Sequence, residues 1–391
     1  MDDESMLETE SYHSLIQRTT AQQTEMLETL EVLVEHESSS TSKAHLDRLA
    51  DYLTERFRAI GGEVTRLPNP EGGDHLKVAF EVEGDADAPD PILILCHFDT
   101  VWPVGTVEAR PFRIEGQQAY GPGIYDMKGG IVIVEYALRT LQALGIPRAR
   151  PVILILNADE EIGTGTSQAA IEEAAQDAAY TLVLEPATAD GALKTARKGV
   201  GGFTLEVRGR ASHAGAEPEA GVSAIEELAH QILRLHQLTD LERGTTVNVG
   251  VVAGGTRSNV VAASAKAEID TRAWTIEDAE ALEAEILSIE PVNPETELAI
   301  QGGFERPPME RTSATVALFE TAQVVGRQMG LTLTEGASGG GSDGNFTSAL
   351  GVPTLDGLGV EGGGAHSEDE HIRVASLSER AALLAGLLAT L

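Results

Sequence analysis

The sequence predicts an α/β protein in which a sheet covered by helices on both faces is interrupted by a small two-layer α+β domain. Three observations carry that expectation. Short, almost wholly apolar runs of β-favouring residues at Pro91–Leu95, Val152–Leu156 and Leu182–Leu184 suit strands buried on both faces. From about Lys198 the pattern changes to half-buried strands, and past residue 308 helix and apolar strand resume. A chain of 391 residues also exceeds what one hydrophobic core usually organises, so two domains are the default.

The elements follow in order. After a ragged, acidic and polar start, apolar spacing predicts helices at Glu25–His36 and Lys43–Ile60, the second ended by Gly61 and Gly62. The three apolar strands come next. Phe203–Val207 then alternates as a half-buried strand does, followed by a helix at Val222–Leu238, strands at Thr246–Val252 and Ser264–Thr271, a helix at Ile276–Ile289 and a strand near Leu298. Strand, helix, strand, strand, helix, strand is the order of a two-layer α+β domain with an exposed sheet edge. Read as an insertion, it occupies 198–308 between two parts of a larger domain at 1–197 and 309–391. The second part holds a helix at Ala314–Met329, a Gly-rich turn, a strand at Pro353–Leu355, a histidine-bearing loop and a terminal helix.

Composition narrows the function. A hydrophobic fraction of 42% with only 4% aromatics is that of a soluble globular enzyme whose cores are built from Val, Leu, Ile and Ala. The formal net charge is −34, from 62 acidic against 28 basic residues, and no basic cluster is long enough to neutralise a run of phosphates. Nucleic acid is therefore excluded as a partner. Acidic residues spread through the chain, with Lys scarce beside Arg, suggest a high-salt host; an ordinary acidic bacterial protein is the alternative. A single cysteine, Cys96, rules out an internal disulfide and is compatible with a reducing cytoplasm. The opening MDDESMLETESYHS has neither the basic start nor the apolar run of a secretory signal, and no apolar stretch reaches membrane-spanning length, so a soluble cytoplasmic protein is expected.

Histidine and acidic residues follow all three apolar runs: Cys-His-Phe-Asp after the first, Asn-Ala-Asp-Glu-Glu after the second and Glu-Pro after the third. Ligands of an open α/β sheet collect outside the carboxyl ends of its strands, so these clusters converge in one crevice. His97 and Asp99, two apart, face the same side of an extended segment. They are either a satisfied structural pair, or one ligates a metal while the other orients it, Asp99 then taking the second ring N–H of a ligating His97. Asp126, in GPGIYDMKGG, is either a helix N-cap or a carboxylate bridging two metal ions roughly 3.5–4 Å apart. Adjacent Glu160 and Glu161 are either solvated surface acids or divide labour at a strand end, one binding metal and one taking a proton. Glu185 before Pro186 and His366 in GGGAHSEDE complete the set. Oxygen donors with imidazoles and no thiolate suit zinc, with cobalt or manganese as substitutes. Zinc lowers the pKa of bound water to about 7 and so makes hydroxide available at neutral pH. The Gly339–Gly341 run before Ser342 and Asp343 lacks the Lys and following helix of a phosphate-binding loop.

The segments HFDTV, YGPGIYDMKGG, NADEEIGTGTS, LEP, RKG, GRASHAGAEPEAG, GGTRSNVV, GGGSDGNF and AHSEDE occur in the order seen in dinuclear zinc exopeptidases. From about residue 25 to the C-terminus the chain resembles the glutamate carboxypeptidase branch of peptidase family M20, which also includes aminoacylase and dipeptidases. The resemblance implies a three-layer, zinc-exopeptidase-like catalytic domain with an inserted ferredoxin-like dimerisation or lid domain. It implies two zinc ions per subunit, with Asp126 bridging, His97 and Glu185 completing one site, and Glu161 and His366 the other. Glu160 would be the general base, Asp99 the carboxylate behind His97, and the peptide after Asp126 cis. His213 would donate to the tetrahedral oxyanion across a homodimer, although on the residues alone it reads as a surface-loop histidine. Arg272 and Asn259 would meet the substrate's α-carboxylate, Lys198 near the hinge would be a further substrate contact, and the run ending at Gly341 would line the pocket. The implied reaction uses metal-bound hydroxide to release a C-terminal amino acid, glutamate first, from a peptide or N-acyl amino acid. An aminoacylase or dipeptidase with the same metals is the neighbouring alternative, and a non-catalytic binding protein on this fold the remote one.

Overall fold

The computed structural model describes residues 7–82 and 89–391. It divides into two compact units: Met1–Thr195 with Arg311–Ser338 and Ser342–Leu391, and Ala196–Glu310 with Gly339–Gly341.

In the first unit a six-stranded sheet runs in the order Glu63–Leu67, His75–Phe80, Val152–Asn157, Ile92–His97, Tyr180–Val183, Thr354–Leu355. His75–Phe80 opposes both its neighbours, and the last four strands are mutually parallel. The strands are apolar throughout because both faces are covered. Ile92, Ile94 and Cys96 point into a core shared with the long helices, whereas alternating Leu93 and Leu95 pack with Ile171, Ala174 and Phe346 on the other side. The result is the three-layer arrangement expected. The terminal helix Val374–Thr390 is buried almost all round, and Tyr12 of an N-terminal helix, Thr9–Ala21, hydrogen-bonds its Thr390 at 3.0 Å.

That N-terminal helix corrects the reading of a ragged start. Its buried stripe is only Tyr12, Leu15 and Thr19, too sparse to show as a periodic signal. The strands Glu63–Leu67 and His75–Phe80 also escape the apolar-run criterion, since each carries charged or polar residues. The predicted elements lie within a few residues of their expected positions, including helices Gln23–Glu35, Lys43–Ala59 and Ser313–Gln328. Helices Gln168–Gln176 and Gly344–Ala349 go beyond the expectation, the second following the Gly-rich run that the sequence reads as lacking one.

The second unit is a four-stranded antiparallel sheet in the order Thr246–Gly254, Ser264–Ala273, Gly199–Arg208, Glu297–Arg306. Helices Ala224–Gln237 and Ile276–Leu287 cover one face, where Leu228, Leu235, Leu282 and Ile286 meet the inward residues Phe203, Leu205 and Val207. In chain order the strands lie 2-3-1-4, the ferredoxin-like arrangement. No helix among the described residues is long and apolar enough to cross a membrane.

Two glycines set the position of the strand end that leads to Glu185. A Cβ on Gly130 would lie 2.4 Å from the Leu184 carbonyl oxygen, and one on Gly359 2.3 Å from the same atom. Neither neighbour is a flexible side chain tip that can move aside. Gly130→Ala is expected to destabilise the fold by about 1–3 kcal/mol, as overpacking against a rigid partner does. Urea denaturation followed by circular dichroism measures it, and an unchanged midpoint would show that the backbone yields.

Candidate metal centre

Strand register brings the first residues together. His97 ends its strand level with Asn157, and Leu95 pairs with Val183, so Glu185, two residues further on, also reaches the level of His97. From Ile92–His97 the sheet order goes to one side, to Val152–Asn157, and from Tyr180–Val183 to the other, to Thr354–Leu355. The diverging connections leave a crevice between the ends of the two central strands, the place where such sheets bind ligands.

Asp126 lies at the middle of it. Its carboxylate caps no helix: Oδ1 is 3.1 Å from His97 Nε2, while Oδ2 is 3.4 Å from His366 Nε2. Each histidine has a second acidic neighbour, Glu185 at 3.4 Å from His97 and Glu161 at 3.1 Å from His366. One carboxylate thus faces two separate histidine–glutamate pairs through different oxygens. The carboxylate of Glu160 lies within 4.8 Å of the ligand atoms of His97 and Glu185. The Asp126–Met127 peptide is cis.

Asp99 is fully buried behind the His97 ring. Its Oδ1 is 3.3 Å from His97 Nδ1, which also lies 3.1 Å from the Asp99 carbonyl oxygen, so Nε2 is left to face the crevice. The same carboxylate accepts the backbone N–H groups of Glu160 and Glu161, both at 3.2 Å, and the Ser40 hydroxyl at 2.8 Å. It therefore contacts the His97 ring at Nδ1 and fixes the backbone of the acidic pair as well.

Electrostatics follows from crowding. Burial disfavours a charged His97, but Asp126, Asp99 and Glu185 outweigh it and hold the imidazolium well above its usual pKa. Asp126 and Glu161 raise His366 to about 10. Burial pushes Asp126 upward, yet His366 and His97 together take it well below the ordinary carboxylate range. Glu161 is raised by burial, with His366 opposing. Beside the site, burial drives Lys128 down to about 7, and its Nζ donates to the His36 carbonyl at 2.9 Å.

Two imidazoles and three carboxylates, all oxygen and nitrogen donors directed inward, fit a pair of borderline-hard divalent ions. The sequence profile of Peptidase family M20/M25/M40 matches residues 93–390. The chain belongs to peptidase family M20. Carboxypeptidase G2 of Pseudomonas sp. (strain RS-16) is 30% identical over 381 residues, which cover 96% of this chain and 91% of that protein. Among solved structures, aminopeptidase PepT of Bacillus cereus aligns with a TM-score of 0.79 at 25% identity, covering 94% of this chain and 98% of that one. An M20 metallo-carboxypeptidase of Sulfolobus solfataricus, Sso-CP2, reaches 0.71 at 17% identity, with 94% and 99% covered, a likeness of fold. This M20 protein is thus an enzyme, a metal-dependent hydrolase of the metallopeptidase class.

The other expected site residues of this M20 chain lie in the second unit. Lys198 stands 5.2 Å above the Trp274 ring, and its pKa is lowered by burial and by the positive charge of Arg272. Arg272 pairs with Val200 across the sheet, and its guanidinium engages both oxygens of Asp270, at 3.0 and 2.7 Å. Asn259 and His213 sit on neighbouring exposed loops joined by the Ala214 N–H to Asn259 carbonyl bond of 3.0 Å. Gly341 accepts Arg197 Nη1 at its carbonyl, 3.0 Å away.

Residues that sequence reasoning missed hold the loops of the centre. Asp343 accepts from Asn157 at 2.8 Å and from Thr164 at 2.6 Å, tying down both ends of the turn that carries Glu160 and Glu161. Asp159 accepts from Thr166 and Ser167 in the same turn. Glu370 does likewise for Asp126. Their signal in sequence is weak, because an acid among acids gives no sign of being buried.

With both ring pKa values raised, His97 and His366 carry protons at neutral pH in the metal-free protein, and a metal must displace them. Metal binding at pH 7 is therefore expected to release ~2 protons, and apparent affinity to climb as pH rises from about 6 to about 9. Titration calorimetry in buffers of different ionisation enthalpy reads the proton count; a binding enthalpy independent of buffer contradicts it.

Proposed function

We propose that this chain is a dinuclear zinc exopeptidase that releases a C-terminal amino acid, with glutamate the preferred residue, from a peptide or N-acyl amino acid. The observation that supports it most is Asp126, whose two oxygens face separate histidine–glutamate pairs. His97, Asp126 and Glu185 would hold one ion, and His366, Asp126 and Glu161 the other. Zinc at these positions polarises a scissile carbonyl and lowers the pKa of water.

The chain's own residues do the rest. Glu160 takes the proton of the attacking water and returns it to the leaving amine, its backbone held through Asp99. His213 Nδ1 accepts the backbone N–H groups of Gly215 and Ala216, at 3.2 and 3.0 Å, so the ring proton sits on Nε2. That makes Nε2 a donor for the oxyanion, delivered to the partner subunit's site in a homodimer. Exposed Val251 and Val252 on the edge strand, with Leu233 on a helix of the same unit, are the apolar surface such a dimer would cover. Arg272 supplies charge for the substrate's α-carboxylate, Asn259 adds a neutral donor, and Lys198 is a further substrate contact. An incoming carboxylate would take the place of Asp270 on the Arg272 fork, which suits planar bidentate recognition. Gly341, without a side chain, leaves room beside Arg306 and Val200. Closure of the inserted domain would exclude water from the acyl group during turnover, and the single buried Cys96 suits a cytoplasmic setting.

Amine release from a panel of N-acyl amino acids and dipeptides, folyl-glutamate included, tests the reading in zinc-loaded and chelated protein and in Glu160→Gln. Metal-dependent cleavage preferring C-terminal glutamate, reduced ~10²–10⁴-fold or more in the variant, is expected. Metal-dependent cleavage with another preference assigns the chain to the aminoacylase or dipeptidase branch, and no cleavage of any member rejects the enzymatic reading of the centre.

A further inference from the structure

A bridging carboxylate works only if its backbone is held so that the two oxygens point to different partners. Asp126 lies in an irregular turn, Ile124–Lys128, whose internal backbone angles are non-helical at Asp126 and Met127. The turn's own hydrogen bonds do not account for its fixation; a side chain from elsewhere does. Glu370 is 2% exposed, and its carboxylate collects four N–H donors. Oε2 accepts from Gly123 at 2.8 Å and from Trp102 Nε1 at 2.9 Å, while Oε1 accepts from Tyr125 at 2.9 Å and from Asp126 itself at 3.1 Å. An ionised carboxylate has about four acceptor directions, so this one is fully used, three of them on the Gly123–Asp126 segment and the fourth on Trp102.

Glu370 also belongs to the loop of the other metal-facing histidine. His366 stands four residues earlier, with a left-handed backbone at φ 60°, in a tight segment closed by Ser367 N–H to Gly364 O at 2.9 Å and Glu370 N–H to Ser367 O at 3.2 Å. The carboxylate thus fastens the His366 loop to the Asp126 turn, two segments more than two hundred residues apart in the chain. The 3.4 Å approach of His366 Nε2 to Asp126 Oδ2 lies across that same junction.

We propose that Glu370 is a positioning residue for the metal centre, setting the separation of Asp126 and His366 and so the affinity of the ion they share. The inference rests on the dinuclear reading of the site. A carboxylate serving only as a fold staple would lower stability when altered and leave metal affinity alone, whereas a positioning group changes affinity in the folded protein.

The test is zinc affinity of the full-length protein, by competition with a chromophoric chelator, alongside thermal unfolding of the metal-free form. Glu370→Gln keeps the size of the side chain but replaces one acceptor oxygen by a donor facing N–H groups. Its zinc affinity is expected to fall 10- to 100-fold, the range found when partners of metal ligands are removed. Glu227→Gln is the control, because Glu227 accepts Val292 and Asn293 N–H groups in the other unit and lies outside the centre; its zinc affinity should match the unaltered protein. Affinity within twofold of the unaltered protein in Glu370→Gln, whatever its melting temperature, overturns the inference. Should that variant not fold, Trp102→Phe decides: it removes one donor to Glu370 while keeping a ring beneath Arg110, 3.8 Å away. Threefold or greater weakening then supports the inference, and unchanged affinity rejects it. Failure of the unaltered protein to bind zinc removes the dinuclear reading itself, a result distinct from a Glu370 variant that binds as well as its parent.

Discussion

Carboxylates crowded into one crevice repel each other, and much of this structure is arranged around that fact. Asp126 lies within 3.4 Å of both His97 and His366, Glu185 of His97 and Glu161 of His366, and Glu160 stands beside them. Such a cluster persists only with positive charge between its members. The two imidazoles lie between the carboxylates, which raises His97 and His366 and lowers Asp126. Divalent ions would meet the same need with more charge at the same place. The crowding is thus consistent with a cation site.

The scaffold makes the crowding geometrically unavoidable. Parallel register brings His97 and Glu185 level, and Gly130 and Gly359 admit close backbone approach at Leu184. Around this frame, buried acids restrain the loops: Asp99 holds the acidic pair and the His97 ring, Asp343 and Asp159 hold the turn beyond, and Glu370 holds Asp126. Each of them satisfies several N–H or O–H donors at once, so burying its charge is compensated by charge-assisted hydrogen bonds. The chain's acidity accordingly has two components, a solvated surface and a hydrogen-bonded interior shell.

The candidate residues His97, Glu160, Glu161 and Glu185 were legible because they follow the most apolar segments of the chain, where a histidine or a glutamate has no ordinary reason to be. Ile92–His97 and Val152–Asn157 are such cases, and the small α+β unit was equally readable from its alternating strands. The supporting acids were not. Glu370 lies in the run Ser-Glu-Asp-Glu, and only the fold tells it apart from exposed Glu368 and Asp369. The N-terminal helix failed to show for a related reason: three inward residues in thirteen suffice when the partner is an almost wholly buried terminal helix. Residues of the second unit carry a further limit, since Arg272 engaged by Asp270 is an arrangement that spacing along a strand permits but does not announce. Specificity depends on such side chains and on loops, which carry little period and hence little sequence signal.

The central claim is that one aspartate joins two metal positions. Anomalous diffraction at the zinc edge, from crystals of the zinc-loaded protein, tests it most directly. The account predicts two peaks roughly 3.5–4 Å apart, one against His97 and Glu185, the other against His366 and Glu161, with Asp126 between them. A single peak, or a pair that Asp126 does not bridge, would contradict it.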